Sequence, residues 1–288
     1  MAPMTLQPGQ RIGSYRLIRL CGAGAMADVW QAQDPSTGQV VALKMLRPAG
    51  SPLEAAEQER RFLAEAQTAR LLHHPDIVKV LDQGRTSDGQ AWMALEWLSG
   101  HPLARHTASE NRLPDSTVIG MAARIARALD HAHQRGVVHR DIKPENILVD
   151  LAAGQVKIAD FGVSRVEDAS ATQTGTILGT PAYMAPEQLA GAPASPLGDL
   201  YSLGVVIFEL FTGRRPIEAS SLGQWLRRIS QEPATPLCEL RPDLPPALGQ
   251  IVDRLLERNP AQRPQRGEDV ANALERCVQG RRTEGLKS

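Results

Sequence analysis

An aspartate, a lysine and an asparagine stand at positions 141, 143 and 146 of the segment VVHRDIKPENILVD. A strand built only to fill a core would not carry such a load. Side chains of these kinds handle protons and anionic oxygens. Upstream, CGAGAMADVW follows a strand-like run and places Gly22 and Gly24 two apart. Glycines let backbone N–H groups approach a phosphate with no Cβ in the way, although a plain hairpin turn has the same composition. Ala27 interrupts a full GxGxxG pattern, and no helix opens after the glycines, which argues against a dinucleotide fold. GKS and GKT are absent, so the loop is not a P-loop. Lys44 falls on an apolar strand face, where an ammonium is expensive unless paired. Glu65, in RFLAEAQTARLL, would be a solvated helix residue on its own; paired with Lys44 it positions an ammonium for anionic oxygens.

Several elements must hold these groups. Residues 15–46 read as strands, and VVALKML alternates, with Val40, Ala42, Lys44 and Leu46 on one face. Residues 54–72 read as a helix that ends before the proline of HHPD. IVKVLDQG and AWMALEW are short strands around the turn SDGQ. Val118, Ala122, Ile125, Leu129 and Ala132 mark one face of a long helix. ILVD and QVKIADFG form a hairpin around Ala153-Gly154, and YSLGVVIFELF is a helix buried in a domain centre. Residues 163–184, rich in Thr and Gly without periodicity, form a long loop of the kind that is usually functional.

The 288 residues suffice for about two domains, and 32 basic against 32 acidic residues give no sign of a nucleic-acid or anionic-membrane partner. Cys21, Cys238 and Cys277 are too scattered for a disulfide framework or a CxxC site. The chain shows no signal peptide and no apolar run long enough for a bilayer, so a soluble, cytoplasmic protein is expected.

Taken together, the motifs resemble the protein kinase family, closest to the bacterial serine/threonine kinases of eukaryotic type. The matching pieces follow the family's order: Gly22-x-Gly24, Val41-Ala42-Leu43-Lys44, Glu65, His139-Arg140-Asp141…Asn146, Asp160-Phe161-Gly162 and Ala185-Pro186-Glu187. EAQTARLLHHPDIVKVLD and GTPAYMAPEQL support the placement, and the similarity spans about residues 12–278. The resemblance implies an α+β, bilobal kinase fold. Its parts are an N-terminal tail (1–11), a small β-rich ATP-binding lobe with one main helix (12–98), a larger, mostly helical catalytic and substrate-binding lobe (99–278), and a C-terminal tail (279–288).

The same resemblance implies transfer of the γ-phosphate of ATP, with Mg²⁺ or Mn²⁺, to Ser/Thr hydroxyls of protein substrates. Asp141 would accept the hydroxyl proton, and Lys143 would steady the γ-phosphate. Asn146 and Asp160 would hold the metal, and Lys44, paired with Glu65, would grip the α- and β-phosphates. Cys21, Gly22, Ala23 and Gly24 would cover the nucleotide; Val29, Ala42 and Leu148 would sandwich adenine. Residues Glu96 to Leu98 would bond the adenine edge, with Leu95 as gatekeeper. His139, Phe161 and Gly162 would shape the catalytic loop, Asp199 would bond its backbone, and Glu187 would pair with Arg263. Arg140 would read a phosphorylated loop, with Thr172, Thr174 and Thr176 as acceptors, autophosphorylated in a kinase homodimer; Thr180 would contact Asp141 and Lys143.

Ala27 departs from the pattern: if its site needs positive φ, a Cβ costs up to about 1 kcal/mol and slows nucleotide handling. Cys21 replaces an aliphatic residue, and Asp28 adds a negative charge that strand alternation turns outward. His131, His133 and His139 are read as packing and hydrogen-bonding residues rather than zinc ligands, His73-His74 as a turn, and Trp92 and Trp97 as core. Two rival readings are a pseudokinase scaffold and a small-molecule phosphotransferase; the Thr-rich loop and APE favour protein substrates.

Overall fold

The computed structural model describes residues 6–24, 26–47, 51–161, 181–219 and 221–284. Gly162, Thr172, Thr174, Thr176 and Thr180 lie outside these residues. The described chain divides into two compact units, one drawn from residues 6–73 and 77–99, the other from 74–76, 100–161 and 181–284.

In the first unit, strands β1 (Arg11–Ile12), β2 (Tyr15–Ala23), β3 (Ala27–Gln33) and β4 (Val40–Leu46) precede helix α1 (Pro52–Arg70), then β5 (Val80–Arg85) and β6 (Ala91–Glu96). They make one antiparallel sheet in the order β1-β2-β3-β4-β6-β5. The alternation in β4 sends Val41, Leu43 and Met45 into a core with Leu17, Trp30 and Trp92. Gly13, at φ 57, is needed there, because a Cβ would come within 2.7 Å of the Trp92 ring. The opposite sheet face packs Leu46, Val80 and Met93 against Phe62, Ala66 and Ala69 of α1. Helix α1 starts at a capping box: the Ser51 hydroxyl accepts from the Glu54 N–H, and the Glu54 carboxylate accepts from the Ser51 N–H at 3.1 Å.

The second unit adds β7 (His101–Pro102), α2 (Asp115–His133), β8 (Ile147–Asp150) and β9 (Gln155–Ile158). They are followed by α3 (Pro186–Leu189), α4 (Pro196–Thr212), α5 (Leu222–Gln231), α6 (Leu237–Leu240), α7 (Pro246–Leu255) and α8 (Gly267–Glu284). Val118, Ala122, Ile125, Leu129 and Ala132 of α2 are all buried, as their spacing requires. Helix α4 is buried almost all round, from Gly198 to Phe208; Ser195 caps its start and Gly213, at φ 76, ends it. The short segment 74–76 is anchored inside this unit. Asp76 pairs with Arg124 of α2, its carbonyl accepts from the Ile158 N–H at 2.8 Å, and the Pro75 carbonyl accepts from Lys157 Nζ at 2.7 Å.

Strands β7, β8 and β9 form a small antiparallel sheet, with His101 opposite Val149 and Pro102 opposite Leu148. Gly100, just before β7, lies so close to β8 that a Cβ would overlap the Val149 carbonyl. Backbone cannot step aside as a side chain can. Gly100→Ala is therefore expected to destabilise the chain by about 1–3 kcal/mol, the usual cost of overpacking. Calorimetric unfolding showing no loss would contradict this close approach.

Candidate active site

Within the first unit, the turn between β2 and β3 is closed by the Gly24 N–H donating to the Ala27 carbonyl at 2.9 Å. Cys21, Gly22 and Ala23 lie on exposed β2 and Val29 on β3, where Gly22 pairs with Val29. The strain expected at Ala27 is not present. Arg140 and Asp160 are the non-glycine residues with positive φ among those described, and Ala27 is a buried strand residue opposite Leu46. Its Cβ fits because the chain is already extended there. Asp28 is held by Arg47, whose Nη2 donates to Oδ1 at 2.6 Å. This bond, with the carboxylate's charge, raises the Arg47 pKa. The charge that Asp28 adds is thereby neutralised by a residue the motifs do not mark.

Lys44 leaves the face of β4 opposite the Trp30 core, and its Nζ lies 3.4 Å from Glu65 Oε1 on α1. Both side chains are largely buried, so the pair answers the desolvation cost of each. Ala42 is opposite Leu95, and the Glu96 carboxylate accepts from the Lys79 N–H at 2.7 Å while its own N–H donates to the Lys79 carbonyl at 2.9 Å. These bonds fix the chain leading into Leu98.

In the second unit, Asp141, Lys143 and Asn146 converge. Lys143 Nζ sits 2.7 Å from Asp141 Oδ2, and Asn146 Nδ2 donates to Asp141 Oδ2 at 3.1 Å and to its carbonyl at 2.8 Å. With its nitrogen committed, the Asn146 amide has its oxygen to offer. His139 is fully buried and fixes the loop from below: its Nδ1 accepts from the Asp141 N–H at 3.2 Å, and its Nε2 donates to the Ala159 carbonyl at 3.0 Å. The ring therefore carries its proton on Nε2. Phe161 packs edge-on against it, centroids 4.7 Å apart.

Backbone strain marks the same place. Arg140 has φ 73 and Asp160 φ 56, in the region that side chains with a Cβ seldom adopt. Asp199, reaching from α4, holds the backbone at Arg140 against its strain. Its carboxylate accepts from the N–H groups of His139 at 2.8 Å and Arg140 at 2.9 Å, and from His133 Nε2 at 2.8 Å. His133 is the partner that the sequence reading left unassigned. His131 instead packs its ring against His74.

Arg263, with a fully buried side chain, makes a two-pronged ion pair with Glu187 at 2.7 Å for each prong. It also donates to the carbonyls of Leu197, Glu257 and Arg258 and lies over the Tyr201 ring.

A second pair passed unnoticed in the sequence. Tyr183 Oη donates to Glu209 Oε2 at 2.6 Å, and Ser202 Oγ donates to the Tyr183 carbonyl at 2.7 Å. The one acid inside YSLGVVIFELF was the available signal. Burial pushes the Glu209 pKa up, against the lowering effect of the Tyr183 bond and the Arg215 charge; the Tyr183 pKa is also raised, chiefly by burial. A carboxyl whose pKa is higher folded than unfolded contributes stability below its unfolded pKa and loses it as pH rises. Glu209→Gln keeps an acceptor for Tyr183 without the buried charge. The variant is expected to be more stable than the parent at pH 7, with the gap narrowing as pH falls through the carboxylate range. Denaturant titrations across pH in which the gap widens on acidification would refute this.

The protein kinase domain model matches residues 15–275, so the chain belongs to the protein kinase family. It is similar to serine/threonine-protein kinase PknA of Mycobacterium tuberculosis, at 41% identity over 275 residues, covering 94% of this chain and 62% of that protein. It is also similar to PknD of the same organism, at 38% over 95% of this chain and 41% of that protein. PrkC of Bacillus subtilis is 34% identical over 91% of this chain and 40% of that protein. The chain thus spans between about two-fifths and three-fifths of these curated relatives. Among the described residues, no helix is long and apolar enough to cross a membrane.

Proposed function

We propose that the chain is a serine/threonine protein kinase that transfers the γ-phosphate of ATP to hydroxyls of protein substrates. The observation that carries this reading is the Asp141–Lys143–Asn146 cluster, with Asp141 Oδ2 2.7 Å from a buttressing ammonium, set on a loop whose strained backbone Asp199 holds. Asp141 takes the acceptor hydroxyl's proton and aims its oxygen. General-base groups of this kind contribute about 10²–10⁴-fold. Lys143 neutralises charge on the transferring phosphoryl group, and Lys44, held by Glu65, does so at the α- and β-phosphates.

Asn146 and Asp160 supply an amide oxygen and a carboxylate, the oxygen donors that hard Mg²⁺ or Mn²⁺ prefers, so the residues fit such an ion. Held by Asn146 and Asp160, such an ion would supply Lewis-acid charge withdrawal from the phosphate. Residues 12–98 form the nucleotide-binding part and 99–278 the catalytic and substrate-binding part. The adenine would lie against Val29, Ala42 and Leu148, with backbone bonds from Glu96 to Leu98 and the glycine turn over its phosphates. Arg140 is the cation for a phosphothreonine at Thr172, Thr174 or Thr176, added by a second copy of the chain in the cytoplasm. Such a group brings roughly −1.5 to −2 charge.

The test is incorporation of labelled phosphate from ATP into a generic Ser/Thr protein acceptor, with an aminoglycoside as rival acceptor. Transfer to the protein that stops when divalent metal is chelated is the expected result. Nucleotide binding without transfer would make the chain a scaffold, and transfer only to the aminoglycoside a small-molecule phosphotransferase.

A further inference from the structure

A cavity of about 260 Å³ opens between the last turn of α1 and the start of β5, and none of its lining residues is assigned to phosphate transfer. Its apolar lining is Ala69 and Leu72 on one side and Val80 and Leu81 on the other; Ala69 and Val80 belong to the core beneath α1. Its polar lining is entirely basic: Arg70, His73 and Lys79. All three side chains are exposed, and among the described residues neither the Arg70 guanidinium nor the Lys79 ammonium has an acidic partner. The nearby Glu96 carboxylate is engaged by the backbone N–H of Lys79. Leu71, 66% exposed, stands between Arg70 and Leu72 in the chain.

A cation in the last turn is what a helix C-terminus favours, and that accounts for Arg70 alone. Lys79 is not on the helix, and His73 lies beyond its end. An apolar concavity edged by two cations, Arg70 and Lys79, and a hydrogen-bonding imidazole matches an anion attached to a bulky hydrocarbon. We propose that this cavity docks an acidic segment of a partner protein, seating one bulky apolar side chain between Leu72 and Val80 while carboxylates meet Arg70, His73 and Lys79. A single large side chain fits a space of this size, and charge complementarity of this kind sets partner choice and association rate. The site needs neither nucleotide nor catalysis, so it stands or falls independently of the proposed activity.

The probes are fluorescein-labelled pentapeptides, acetyl-Asp-Glu-Xaa-Glu-Asp-amide, with Xaa as Phe, Leu, Ile or Trp, titrated against the whole chain at low and moderate salt. At least one is expected to bind saturably with Kd below about 1 mM. Binding should weaken by about tenfold or more with Xaa as Ser and in the Arg70→Glu/Lys79→Glu variant. Amide shifts should concentrate at Ala69, Leu72 and Val80. Both substituted side chains are exposed, and an unchanged melting temperature in the variant will show that the fold is intact. Absence of saturable binding by all four peptides, or equal binding to the variant, overturns the proposal. Equal displacement by inorganic phosphate would reduce the cavity to a general anion site. Self-association in sedimentation runs, abolished by the same double substitution, would assign it to a second copy of the chain.

Discussion

Asp141→Asn is expected to lower phosphate transfer by about 10²–10⁴-fold, the usual span for a positioned general base, while nucleotide binding stays close to that of the parent. Asparagine keeps the shape of the side chain, so the loop should survive. His139 receives the backbone N–H of residue 141, and Asn146 still has the residue 141 carbonyl at 2.8 Å. What is lost is the lone pair that accepts a proton and the negative charge beside Lys143, 2.7 Å away. A loss confined to the chemical step lowers kcat and kcat/KM together and leaves KM for ATP almost unmoved. Steady-state kinetics with labelled ATP, paired with calorimetric nucleotide titration, measure both. Transfer retained within tenfold would remove Asp141 from the reaction. An equal collapse in nucleotide affinity would make it a structural residue instead.

Arg263→Met is expected to cost about 3–5 kcal/mol, because it leaves the Glu187 carboxylate without the cation that meets both its oxygens. The guanidinium directs all five of its N–H groups to protein acceptors: two to Glu187 and one each to the carbonyls of Leu197, Glu257 and Arg258. A Met side chain fills the volume and supplies none of these donors. For a chain of this size the cost corresponds to a fall in melting temperature on the order of 10 °C. Adding Glu187→Leu removes the stranded charge, so the double variant should recover part of the loss. Differential scanning calorimetry of the parent, both single variants and the double variant measures the coupling. A double variant as unstable as the sum of the singles would show that the ion pair contributes no coupling.

Much of this was legible in the chain. The period-two pattern of VVALKML places Val41, Leu43 and Met45 in the core and Lys44 on the other face, because a strand alternates whatever surrounds it. The α2 stripe was equally plain, since helical spacing follows from local geometry. Ala27 was harder. Its departure from the glycine pattern implied strain, but a glycine in a motif does not reveal the φ of its site, and here the site is extended. Asp28 illustrates the opposite problem: alternation gives the direction of its side chain and not its neighbour Arg47, 19 residues away.

The sequence by itself determined which groups are present and in what order, and hence the kinase family, because residue types at fixed short spacings are a property of the chain. The family order also implied that Asp199 holds the catalytic loop and that Glu187 meets Arg263. The tertiary structure alone decided other long-range partners: His133 closes on Asp199 66 residues later, Asp28 on Arg47 19 residues later, and Tyr183 on Glu209 26 residues later. A buried polar group must find a partner wherever packing delivers one. That delivery depends on how helices and sheets stack, which no local pattern encodes.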